Sequence, residues 1–150
     1  MKLALTTTAP KLTTLSAPKA PTVVYDLSAL MTVDLTDQDD WGYGDWLDNT
    51  IYAHKGDDRV YADKGDDYVF GGEGRDSLYG GLGNDLLYGG EDADLLSGGD
   101  GVDLLFGGAG FDKLNGGRGD DFLFGGADHD LLYGDIGDDV LHGGDGFDTM

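Results

Sequence analysis

Residues 98–124 read GGDGVDLLF-GGAGFDKLN-GGRGDDFLF, three successive units of nine in which glycine, aspartate and leucine return at the same places. Followed outward, the frame holds from Ala53 to Met150 as eleven units with no insertion, the last one residue short. Position six is Asp in every unit: Asp58, Asp67, Asp76, Asp85, Asp94, Asp103, Asp112, Asp121, Asp130, Asp139 and Asp148. Position eight is aliphatic or Met in every unit, from Val60 through Leu105 to Met150. Position four is Gly in nine units; the exceptions, Asp92 and Asp128, are residues that tolerate left-handed backbone better than most. Self-similarity at a fixed short period marks a stacked repeat, in which each unit buries its apolar side only against its neighbours.

The spacing converts to geometry. Six residues rich in Gly and Asp predict a turn, and the next three predict a short strand with one side chain inward and two outward. Two units bring the chain back to its start, so one coil takes 18 residues. Coils stacked about 4.8 Å apart give an all-β, right-handed parallel β-roll roughly 25 Å long, a two-sheet β-solenoid. Its core is one narrow ladder of position-eight side chains. A core this thin, in a chain this rich in glycine, does not offset the entropy of ordering it, so a second source of stability is expected.

Composition narrows that source. The 150 residues suit one domain, and 30 acids against 9 bases give a net charge of -21. Only Glu73 and Glu91 among those acids are Glu, and Asp is the carboxylate that fits tight turns. The charge excludes nucleic acid and anionic membrane as partners. A hydrophobic fraction of 39% argues against permanent disorder, which leaves neutralisation by multivalent cations. With no Cys there is neither a disulfide nor a thiolate metal site. No apolar run reaches membrane-spanning length, and the run after Lys2 is too short for a secretory signal, so a cleaved signal peptide is not expected.

The units resemble the G-G-x-G-x-D-x-U-x nonapeptides of the RTX (repeats-in-toxin, hemolysin-type) calcium-binding family, and the resemblance covers residues 53–150. It implies a parallel β-roll with calcium bound between successive turns on each edge. It also implies an extracellular protein of a Gram-negative bacterium, exported by a type I system and unfolded until it meets calcium outside. The residues agree with this. Turns on one edge lie 18 residues apart, so Asp58, Asp76, Asp94, Asp112, Asp130 and Asp148 form one ladder. Asp67, Asp85, Asp103, Asp121 and Asp139 form the other. Carboxylates stacked about 5 Å apart repel unless a cation lies between them. Calcium takes six or more oxygens and accepts backbone carbonyls from flexible loops. Five gaps on one edge and four on the other predict about nine Ca²⁺, whose +18 nearly cancels the net -17 of residues 53–150.

Other readings fail on chemistry. No 12-residue loop ends in the Glu an EF-hand requires, and a period of nine with three prolines is not collagen. Residues 1–52 hold no HExxH or GxSxG and are too few for a catalytic domain, so no enzyme activity is expected. His54, His129 and His142 fall at different repeat positions and make no cluster. Position five is irregular, which argues against an ice-binding array. The outward strand positions of one predicted sheet are mixed. Those of the other are nearly all apolar: Tyr68, Phe70, Leu86, Tyr88, Leu104, Phe106, Phe122, Phe124, Val140 and His142. Contiguous apolar surface points to a contact, either residues 22–52, a second copy of the chain, or a carbohydrate or protein partner. Residues 1–21, with three lysines and no acid, read as a flexible tail. Residues 22–52 read as an N-terminal cap in which Trp41 and Trp46 pack, with a degenerate unit at 44–52 carrying Asn49 at position six.

Overall fold

The computed structural model describes residues 32–150 and the backbone of 22–25; the predicted tail at 1–21 lies outside the described residues. The strands are β1 Thr22–Tyr25, β2 Thr32–Asp34, β3 Asp40–Tyr43, β4 Thr50–Lys55, β5 Arg59–Lys64, β6 Tyr68–Glu73 and β7 Ser77–Leu82. They continue as β8 Leu86–Glu91, β9 Leu95–Asp100, β10 Leu104–Ala109, β11 Lys113–Arg118, β12 Phe122–Ala127, β13 Leu131–Ile136 and β14 Val140–Asp145. There is no helix among the described residues. Odd-numbered strands form one seven-stranded sheet and even-numbered strands the other. Every pairing is parallel and joins residues 18 apart, as Leu87, Leu105 and Leu123 do across β8, β10 and β12. The chain is a two-sheet parallel β-solenoid with 18 residues to the coil.

The core sits where position eight puts it. Val60, Val69, Leu78, Leu87, Leu96, Leu105, Leu114, Leu123 and Leu132 are all fully buried, with Leu141 packed against their end. Strands are longer than the three residues expected: from β4 onward each has six, running through positions seven to nine and on into one to three of the next unit. The pairing skips position one, where the chain bends and its α-carbon faces inward, then resumes at position two, as in Gly72 against Gly90. Glycine at position two makes this continuation feasible, since Gly90 has φ +125° and a side chain on it would strike the Gly72 carbonyl. Only positions four to six remain as the turn.

Residues 32–52 follow the same 18-residue register. Val33 pairs with Ile51, and Trp41 with Arg59. Their core is filled differently. Gly42 stands at position eight of the unit 35–43, and the side chain of Leu35, from position one, lies 3.1 Å from where a Gly42 side chain would begin. Trp46 does not pack as expected and stands 77% exposed, because it occupies position three, which faces outward in other units too, as at Lys55 and Leu82. Trp41 lies under the Arg59 guanidinium, 5.4 Å from its ring.

Candidate metal centre

Each turn is made by backbone that ordinary residues avoid. The position-two and position-four residues of most turns have positive φ, including the non-glycines His54, Asp63, Asp92, Asp128 and Asp135 at 68–79°. This turns their carbonyls along the solenoid axis towards the next coil. A side chain on Gly108 would meet the Gly90 carbonyl, and one on Gly110 the Asp92 carbonyl. Two carbonyl oxygens of every such turn therefore point into the gap above it.

The position-six aspartates complete the turn. Asp58, Asp67, Asp76, Asp85, Asp94, Asp103, Asp112, Asp121 and Asp130 are all buried. In each, Oδ1 accepts the backbone N–H of the position-six residue one coil earlier: Asp85 donates to Asp103 at 2.8 Å, and Asp94 to Asp112 at 2.8 Å. The other oxygen, Oδ2, has no hydrogen-bond partner in any of the nine. In the seven from Asp76 to Asp130 it lies over the position-one glycine of its own unit. A methyl group on Gly71 would collide with the Asp76 Oδ2 and the carbonyl of Gly89 together. A bare carboxylate oxygen beside a carbonyl, both out of water, is an arrangement that calls for a proton or a cation.

The electrostatics agree. Burial pushes Asp58 and Asp94 up to about 8, Asp67, Asp76 and Asp103 to about 7, and Asp85 and Asp112 to about 6. The hydrogen bond from the preceding coil opposes this in each case, and neighbouring carboxylates reinforce it. Asp121 and Asp130 are raised for the same first reason. Asp139 and Asp148, at the last turns, hold Asp121 and Asp130 through their Oδ1 at 2.9 and 3.0 Å. The eleven aspartates chosen from the sequence thus lie in two ladders, one on each edge.

No cluster of three or more His, Cys, Asp or Glu side chains occurs among the described residues. An ion in these gaps would be held mainly by carbonyl oxygens with carboxylate help. That donor set suits a hard, flexible-geometry cation such as calcium and not zinc or copper.

Two sets of residues escaped the sequence reading. Position five, irregular in residue type, does one job where it carries an acceptor: Asp39, Asp48, Asp57, Asp66, Asn84 and Asp120 each accept the N–H of the residue 18 further on, at 2.8–3.0 Å, while Arg75, Ala93, Val102 and Phe111 have none to offer. His129 does the same through Nδ1 for Phe147 at 2.7 Å. The shared signal was acceptor chemistry, spread over Asp, Asn and His. Asp40 was also missed. It is buried in the same ladder and donates its N–H to Asp58 at 2.7 Å. Its place 18 residues before Asp58 was legible, but the unit around it, LTDQDDWGY, keeps neither the glycines nor the core aliphatic.

Fold and turns together define a parallel β-solenoid with oxygen-lined gaps on both edges. A profile of four copies of the RTX calcium-binding nonapeptide repeat matches residues 43–78, 71–105, 79–114, 97–132 and 115–150. These matches cover residues 43–150 without a break, and the chain belongs to that family. Its repeats are a structural, calcium-binding module. Among curated proteins none matches this chain.

Proposed function

We propose that the protein is a calcium-dependent structural module of a secreted bacterial protein, holding about nine Ca²⁺ between stacked turns and performing no catalysis itself. The eleven position-six aspartates, Asp58 to Asp148, are its carboxylate ligands. The observation that carries this reading is a correspondence. Nine buried Oδ2 atoms lack a partner, on Asp58 through Asp130, and each belongs to the earlier turn of one of the nine gaps. The turn carbonyls at positions two and four supply neutral oxygens to the same gaps. In the low-calcium cytosol the unfilled ladder disfavours the roll; millimolar calcium outside favours it, since extracellular modules bind near 10⁻⁴–10⁻³ M. The domain plan that fits is a tail at 1–21, a cap at 22–52 whose described part continues the coils, and the calcium-binding β-roll at 53–150.

The test is a calcium titration of EDTA-stripped protein followed by far-UV circular dichroism, with magnesium as control and calorimetry for the stoichiometry. A cooperative gain of β structure with calcium alone, near nine equivalents, is expected. A full β spectrum in EDTA with no calcium uptake refutes the reading.

A second reading concerns the even-numbered sheet. Its outward row from Thr50 to His142, including Tyr68, Phe70, Leu86, Tyr88, Leu104, Phe106, Phe122 and Phe124, holds no Asp, Glu, Lys or Arg in a chain that is 26% charged. This favours a contact with a partner or with a second copy. The rings stack on one another, Tyr52 on Phe70 at 5.2 Å and Phe106 on Phe124 at 5.1 Å. Their flat faces are therefore spent within the row, which disfavours the sugar-stacking version. Sedimentation of the calcium-loaded protein as a monomer at high concentration removes the homodimer.

A further inference from the structure

The nine gaps share one feature, an unpartnered Oδ2, and the two gaps that precede them on the N-terminal side lack it. We propose that residues 32–52 are a metal-independent start to the roll, in which side chains at position two close the gaps that ions close elsewhere. The inference rests on the calcium reading of the later gaps and concerns where the ion row begins.

Asp40 occupies the same buried rung as the nine later aspartates. Its Oδ2 accepts two hydrogen bonds from Thr36, one from the backbone N–H at 2.8 Å and one from the hydroxyl at 2.6 Å. On the opposite edge the rung is Asn49, which carries no charge. Its Oδ1 accepts the N–H of Asp45 at 2.7 Å, and its Nδ2 donates to the Asp45 carboxylate at 3.3 Å. Thr36 and Asp45 both stand at position two of their units. Later units have Gly there, with no side chain to offer, or a residue turned elsewhere. His54 and Asp135 have positive φ, and their side chains go to Asp34 and Asn115 instead. Thr36 and Asp45 have no positive φ, so their side chains can turn back onto position six.

The metal-free rungs are also coupled forward. Asp40 donates its N–H to Asp58 Oδ1 and Asn49 donates its N–H to Asp67 Oδ1, both at 2.7 Å. Asp58 and Asp67 are the first residues on each edge with a bare Oδ2. The hydrogen-bonded start therefore orients the first ion-facing carboxylate of each ladder before any ion arrives. Calcium-driven ordering then proceeds from this end towards the C-terminal coils.

Hydrogen exchange read by mass spectrometry on the full chain tests this. In EDTA, amides of residues 40–61 should exchange at least ten-fold more slowly than those of 86–127, and calcium should then protect the latter. Equal exchange of both regions in EDTA overturns the proposal. Asn49→Asp gives the rung a charge and removes its donor. It should lower the EDTA protection of 40–61 by ten-fold or more and raise the calcium stoichiometry by one, with protection restored by calcium. Unchanged protection together with an unchanged calcium count overturns it as well. Thr36→Val, which deletes one hydrogen bond without adding charge, should lower EDTA protection with no loss of calcium sites. A wild-type chain that takes up no calcium refutes the calcium reading, while the EDTA comparison of wild type and Asn49→Asp still decides this one.

Discussion

A buried carboxylate with one oxygen hydrogen-bonded and the other bare can be stabilised by a proton, a cation or an added donor. The aspartate ladders can be tested along each of these routes. Asp103→Asn supplies a donor: the amide keeps the shape and the bond from the Asp85 N–H but removes the charge from one gap. Calorimetry should show one calcium fewer and a calcium midpoint about ten-fold higher, roughly 1.4 kcal/mol, with the β spectrum retained in calcium. The proton route sets a pH dependence. In the metal-free roll the seven ladder carboxylates from Asp58 to Asp112 lie at about 6–8 against an ordinary 3.8, so the folded state binds protons more tightly than the unfolded one. That stabilisation is complete below the ordinary value and is lost as the pH rises through about 6–8. In EDTA the β content should therefore be higher at pH 5 than at pH 8, and excess calcium should abolish or reverse the difference. Titration at pH 5, where the protonated roll is favoured, in buffers of different ionisation enthalpy should show proton release as calcium binds.

At the scale of strand and turn, the roll depends on one core residue and a few carbonyl approaches per unit. Leu105→Ala opens a fully buried rung in the middle of the ladder and should cost about 2–5 kcal/mol, seen as a fall in calcium-loaded thermal stability. Gly119→Ala attacks the turn. With φ at +135° its new methyl would strike the Gly101 carbonyl, so the loss should exceed about 1 kcal/mol and fall mainly on calcium affinity. These positions were legible because repetition amplifies them: one Gly-x-Asp is only a turn, and nine in phase are a lattice. What repetition does not carry was missed. The six-residue strand was hidden because glycine is a poor strand former, and its pairing at position two needs the φ seen at Gly90. Asp40 was hidden because its coil exchanges the roles of positions one and eight, Leu35 filling the space above Gly42. Position five was hidden because a backbone N–H donates to Asp, Asn or His alike, and a residue-by-residue comparison sees only variety.

For the whole molecule the decisive quantity is charge. The nine calcium ions proposed above would add +18 to a formal -21, bringing the chain close to neutral, whereas the stripped chain repels itself along its length. The architecture has a further consequence in its 18-residue pairing. The strand register everywhere joins a residue to its equivalent one coil away, so the pairing itself sets no fixed number of coils. Excising residues 89–106 would set Asp76 beneath Asp112 and Asp85 beneath Asp121, and the core rungs Leu78 and Leu87 would meet Leu114 and Leu123 in place of Leu96 and Leu105. The shortened protein should still fold, bind two fewer ions and be about 4.8 Å shorter, with mass spectrometry and small-angle scattering as the readouts. Duplicating the same cassette should do the reverse. The gene for such a chain can grow or shrink by recombination between its own repeats, and each exchange alters reach and calcium capacity in fixed increments while the fold is inherited intact.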